Sequence, residues 1–334
     1  MWNWERLIQS INMGYRKGEG WDRKEGLLND NSGKNLLSCV SQSFFSGKHA
    51  TTYKYCFLKS LLDNLYSFDK DYSIGFSKLG ETFVSIYWNM IAVYHIPQMP
   101  TYSTGERTIF EKIIQKMISD KPYLNGVHFE SIKEEDRAEY IKNAVPEFSK
   151  NVIGAFYDDT DGMIYGFSKK EKRLWLNERS FKFLSDNKTI IEQVNYYQWL
   201  KMVEGILKSN NTSIDNLSTI LECITQRNDL TKFKEDLHKR GEEKVCFYCG
   251  KKLGRDIHLD HVIPWDFLKS DDLWNFAFTC PTCNTSKSNK IPDEEYINKL
   301  IERNKNLHID SPDINEVANA AKLNGVRSGW KPRR

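Results

Sequence analysis

From Thr51 onward the chain repeats apolar residues at three- and four-residue steps. Tyr53, Phe57, Leu58, Leu61, Leu62 and Leu65 share one face and predict a helix. Leu79, Phe83, Ile86, Tyr87 and Met90 predict a second helix over Phe76–Tyr94, which Pro97 and Pro100 close. Ile109, Phe110, Ile113, Ile114 and Met117 predict a third over Gly105–Ser119. Before Thr51 no period is visible, and Lys17–Asn35, rich in Gly, Asn and charge, reads as loop.

The pattern then changes. Val152–Tyr157 and Met163–Phe167 are β-rich runs, with Leu174–Leu176 as a third. The turn signal Asp161-Gly162 lies between the first two, so Asp158, Asp159 and Asp161 read as hairpin-turn residues. Thr189–Leu207 predicts a long amphipathic helix with Ile190, Val194, Tyr197, Leu200, Val203 and Leu207 inward. Lys208–Ser213 reads as loop, and one or two helices follow over Leu217–Arg240. The expected fold class is therefore α+β, a mainly helical N-terminal region with a small β-hairpin, followed by a compact C-terminal domain.

Composition adds limits. With 334 residues, 40% hydrophobic and 28% charged, the chain can bury about two cores. No leader-like start and no apolar run of roughly 18 residues are present, so a cytoplasmic location and no membrane partner are expected. A net charge of +3 does not by itself announce nucleic acid. Lys322, Arg327, Lys331, Arg333 and Arg334 nevertheless form an acid-free basic tail.

Seven cysteines divide into two classes. Cys39, Cys56 and Cys223 sit in apolar helical text and read as small core residues. Cys246/Cys249 and Cys280/Cys283 form two CxxC pairs separated by 30 residues. Four thiolates can close a tetrahedral shell, so a structural Zn²⁺ is expected. The text between the pairs holds His258-Leu-Asp260-His261-Val-Ile-Pro264, then Asn275; Asn284 and Lys287 follow the last cysteine. An imidazole can act as a base near neutral pH, and a carboxylate beside it can bind Mg²⁺.

This pattern resembles the HNH nucleases with a ββα-metal core, in the subgroup with two CxxC knuckles. The resemblance covers Cys246 to Lys287. It implies that His261 is the general base and that Asp260 and Asn284 hold a catalytic Mg²⁺ or Mn²⁺. Asn275 would fix the loop and orient His261, and Lys287 would contact a phosphate. His258 is an accessory candidate. Asn284 stands where many members have a final His, making this an H-N-N variant. A strand over Ile257–Asp260, a loop over Lys269–Phe276 and a helix beginning at Cys283 are implied. His49, His95, His128, His238 and His308 have no partner motif.

The implied function is metal-dependent hydrolysis of DNA, double-stranded DNA foremost, in restriction or anti-phage defence. A nuclease subunit activated by a partner, for example a short Argonaute, and a non-catalytic zinc module that binds nucleic acid are the alternatives. A homo-oligomer or a protein partner is expected. The chain is expected to divide into a recognition or docking domain (1–210), a helical connector (211–240), the nuclease domain (241–310) and the basic tail (311–334).

Overall fold

The computed structural model describes residues 35–45, 51–100, 105–160, 162–225 and 229–332. Two small antiparallel sheets accompany a predominance of helix. No described helix is long and apolar enough to cross a membrane. The chain forms two compact units. One takes the described residues up to Leu61, then Asp69–Phe183 and Asn195–Ile224; the other takes Leu62–Phe68, Leu184–Val194 and Thr225 onward.

The first unit is aromatic and helical. Its helices begin with α1 (Leu36–Phe45), α2 (Tyr53–Asp63), α3 (Phe76–Trp88), α4 (Ile109–Asp120), α5 (Glu134–Asn151) and α6 (Ile153–Asp159). α1 falls where no period was read; its Leu36, Cys39, Val40 and Phe44 are buried. Leu79, Phe83, Ile86 and Tyr87 are buried on α3 and Met90 in the π-helical turn Asn89–Val93 that continues it, and Phe83 stacks on Tyr87 at 4.7 Å. Gly80 lets α3 approach α5, because an added Cβ would lie 2.9 Å from Phe148 Cδ1. Thr108 and Glu111 close a capping box at the start of α4, four residues later than the expected Gly105.

The sheet of this unit has the order β1-β3-β2, from β1 (Ser73–Gly75), β2 (Gly166–Ser168) and β3 (Arg173–Trp175). Ile74 and Phe167 both sit opposite Leu174. Val152–Tyr157, expected as a strand, is helical instead. Ile153, Phe156 and Tyr157 are buried at helical spacing, and that spacing outweighs the β preference of the individual residues. The hairpin turn is accordingly Lys169–Lys172, with Lys172 at φ 53°, and not Asp158–Gly162. Asp159 pairs with Lys54. Asp161 lies outside the described residues, as do His49, Lys17–Lys34, Arg333 and Arg334.

Next come α7 (Glu178–Asp186), α8 (Lys188–Ser209), α9 (Leu217–Glu222) and α10 (Thr231–Lys239). The expected inward face of α8 holds at Val203 and Leu207, which are buried, and fails earlier in the helix. Ile190 and Tyr197 are 58% and 55% exposed, while Ile191, Asn195, Trp199 and Ile206 are buried. Cys39 and Cys56 are buried as expected; Cys223 is exposed at the C-terminal cap of α9.

The second unit is organised on one antiparallel hairpin, β4 (His258–His261) against β5 (Phe276–Thr279), with His258 opposite Thr279 and His261 opposite Phe276. α11 (Trp265–Leu268) lies in the connection, and α12 (Pro281–Lys287), α13 (Glu294–Asn306) and α14 (Ile314–Leu323) follow. Lys299 and Arg303 of α13 donate to the carbonyls of Phe247 and Phe276, and Asn304 donates to that of Trp274 at 2.9 Å. The stretch expected as a basic tail is folded through its described part. α14 occupies 314–323, Asp293 N donates to Trp330 O at 2.9 Å, and Lys331 pairs with Asp293 and Glu295.

Candidate metal centre and catalytic site

The cysteine end is built from two backbone turns. Gly250 follows the first pair at φ 71°, a left-handed conformation that glycine adopts freely, and its N–H returns to Cys246 O at 2.9 Å. Cys280 caps α12, and Pro281 occupies the helix's first turn, where a missing N–H costs nothing. The helix therefore starts before Cys283, not at it. Phe247 N donates to Phe278 O at 2.8 Å and ties the first knuckle to β5.

These turns bring Cys246, Cys249, Cys280 and Cys283 together, with all four sulfurs within 4.8 Å of one another. A ZnS₄ tetrahedron with Zn–S near 2.3 Å needs sulfurs about 3.8 Å apart, so a small contraction admits the ion. The thiol chemistry points the same way. Burial and the neighbouring sulfurs push Cys283 well above the ordinary thiol range. Burial also works against Cys246, but the amides of Cys249, Cys280 and Tyr248 outweigh it and lower that thiol. A cation that tolerates soft ligands would displace the protons of such crowded thiols into solvent, and the cluster fits zinc.

β4 places His258 and Asp260, two residues apart, against α12, where they meet Asn284 and Lys287. Asp260 is buried. It accepts from Tyr248 Oη at 2.6 Å and pairs with Lys287 Nζ at 3.1 Å. Burial holds the Tyr248 phenol far above its usual range, with the Asp260 charge adding to it, so the phenol stays a donor. Lys287 was expected at a phosphate. It is instead fully buried, and besides Asp260 it donates to His261 O at 2.7 Å. Its place one turn beyond Asn284 on α12 puts it against β4 rather than in solvent. Burial lowers the Lys287 pKa, and Asp260 opposes that shift.

Asn284 meets His258 rather than Asp260. Its amide nitrogen lies 3.1 Å from His258 Nδ1, while His258 Nε2 is 3.3 Å from Asp256. The amide oxygen of Asn284 and Oδ1 of Asp260, whose nearest cation is Lys287 at 3.4 Å, are hard donors on facing elements. In donor chemistry they fit a divalent ion that prefers oxygen. Such an ion shares Asp260 with Lys287.

Asn275 is wholly buried in a 3₁₀ turn, Leu273–Asn275. Its side chain accepts from Ile263 N and donates to Ile263 O, each at 2.8 Å. This two-way clamp holds the backbone just beyond His261, where Pro264 ends the strand's pairing. His261 is buried against the Phe276 ring at 4.5 Å. Its Nε2 meets Asp271 Oδ1 at 2.8 Å. Asp271 and Tyr248 are the residues of this region that sequence reasoning missed. Tyr248 sits between the two cysteines of the first knuckle, where the CxxC spacing specifies no residue type, and Asp271 is ten residues from its partner.

A family model described as HNH endonuclease matches residues 246–290. That span contains the four cysteines, the β4–β5 hairpin and α12. No curated protein and no solved structure matches the chain.

Proposed function

With an HNH endonuclease domain at 246–290 as the premise, we propose that this chain hydrolyses DNA phosphodiester bonds with His261 as general base. The observation that carries the reading is the setting of His261. It ends β4 inside the matched span, Asn275 clamps the backbone two residues on at Ile263, and the His261 ring meets a buried carboxylate.

In the reaction, His261 accepts the proton of a water whose oxygen attacks phosphorus. The bond from phosphorus to the 3′ oxygen breaks, and the departing oxygen takes a proton from solvent. Asn275 keeps the His261 backbone in register, and Lys287 holds both the His261 carbonyl and the Asp260 carboxylate. A Mg²⁺ or Mn²⁺ ion held by Asp260 and Asn284 would relieve phosphate charge and stabilise the leaving oxygen. A zinc held by Cys246, Cys249, Cys280 and Cys283 would be structural, because four sulfur ligands would leave it no open position.

Restriction or anti-phage defence is the proposed setting, with a dimer or larger assembly supplying two active sites for a double-strand break. The seal of Tyr248 and Lys287 over Asp260 favours a second reading, a nuclease subunit opened by a protein partner such as a short Argonaute. The test is cleavage of plasmid, single-stranded DNA and RNA by the full chain with Mg²⁺, Mn²⁺ or EDTA. Plasmid nicking with either metal is expected, and His261→Ala should slow it about 10²- to 10⁴-fold. Wild-type cutting by His261→Ala would remove His261 as the base. Tight nucleic-acid binding without any cleavage would favour a zinc binding module. Sedimentation of the active form as a monomer would count against the assembly.

A further inference from the structure

We propose that Asp271 is the positioning residue that makes His261 a base, by holding the imidazole proton on Nε2 and leaving the Nδ1 lone pair for water. The inference rests on the nuclease reading above. An ionised carboxylate only accepts hydrogen bonds, so at 2.8 Å from Asp271 Oδ1 a neutral His261 ring carries its proton at Nε2. The two side chains are 7% and 3% exposed, so bulk water does not compete for that bond. The Phe276 ring, from the residue opposite on β5, limits rotation of the imidazole, and Lys287 Nζ fixes the His261 carbonyl.

The loop that presents Asp271 is itself anchored within the second unit. Asp272 accepts from Ser270 Oγ at 2.7 Å and Ser67 Oγ at 3.4 Å, and its carbonyl receives Asn275 N at 3.0 Å. Phe267, at the other side of the loop, faces the Tyr66 ring at 5.7 Å and Lys188 Nζ at 5.5 Å. The carboxylate thus approaches His261 from a backbone tied at both flanks. A buried His–Asp pair adds little to stability over apolar residues of the same size. Its value lies in orientation. When the attacking water gives its proton to Nδ1, the ring becomes imidazolium and Asp271 stabilises the new charge without taking a proton itself.

The test uses the zinc-loaded full chain with ¹⁵N-labelled histidine, the His261 signals being identified by loss in His261→Gln. Long-range ¹H–¹⁵N spectra should show the Nε2–H tautomer for His261; an Nδ1–H tautomer in the wild-type protein overturns the proposal. In steady-state cleavage, Asp271→Asn should lower kcat by about 10²- to 10⁴-fold, because an amide can donate to Nε2 and stabilise the wrong tautomer. KM for plasmid should stay near the wild-type value. Asp271→Glu, which restores an acceptor, should recover a large part of the loss. A merely structural role predicts falls in folded fraction that Asn and Glu share, with no tautomer change. If His261→Ala is inactive while Asp271→Asn cuts at the wild-type rate, the inference fails alone. If His261→Ala itself cuts at the wild-type rate, the base reading fails and takes the proposal with it.

Discussion

The β4–β5 hairpin ends in two clusters that both invite a metal reading, and they solve the charge problem differently. At the His258/Thr279 end the chain runs into Cys280 and a knot of four thiols, to which no basic side chain among the described residues is hydrogen-bonded. At the His261/Phe276 end, Asp260 already has Lys287 as its counter-charge and Tyr248 as a donor. The cysteine cluster is incomplete until a cation arrives, whereas the acidic site is electrostatically complete from the chain's own residues. Ligand chemistry alone makes the two look alike; the neighbouring lysine separates them.

The contrast predicts graded effects. Removing zinc by chelation, or Cys280→Ser, should cost the second unit on the order of 10 kcal/mol and unfold it. Loss of its thermal transition, together with one zinc per chain in the native protein, is the measurement. A transition unmoved by chelation would erase the difference between the two ends. Lys287→Met should cost about 3–5 kcal/mol by leaving Asp260 buried without a cation. Millimolar Mg²⁺ should then stabilise that variant more than the wild type in a thermal-shift assay; equal responses would mean that Lys287 and the ion do not share Asp260.

Asn275→Ala should cost about 2–3 kcal/mol in chemical denaturation, since Ile263 N and O both lose their buried partner. Zinc uptake should also release protons. Cys283 is pushed up, so its thiol keeps its proton near neutral pH until the metal displaces it. Affinity should therefore weaken as pH falls, about tenfold per pH unit for each proton displaced. Calorimetry in two buffers of different ionisation enthalpy measures that release.

Part of this organisation was legible in the sequence. α3 carries a single apolar stripe, so its periodicity gave both the helix and its buried face, whereas α2 is buried on every side from Tyr55 to Asp63 and its period gave the helix alone. α8 is apolar on several sides; Ile190 and Ile191 are neighbours, and nothing local says which one faces the core. Val152–Tyr157 has strand-forming residues at helical intervals, and packing of Ile153 and Phe156 decided between them. β1, only three residues long, has no period to detect. Around the site, CxxC spacing and the Asp-His pair are written in local text. The burial of Lys287 and the reach of Asp271 to His261 depend on how α12 and a loop fold back, and no local text encodes that.

The second unit draws Leu62–Phe68 and Leu184–Val194 into itself, and through Tyr66, Ser67 and Lys188 these segments touch the loop that presents Asp271. The span matched by the HNH family model is thus not a self-contained cassette. Grafting residues 241–334 onto another host would carry over all four clustered cysteines and the His261 strand, yet strip Phe267 and Asp272 of their props from far upstream. Such a graft would retain its zinc and lose the aim of its histidine.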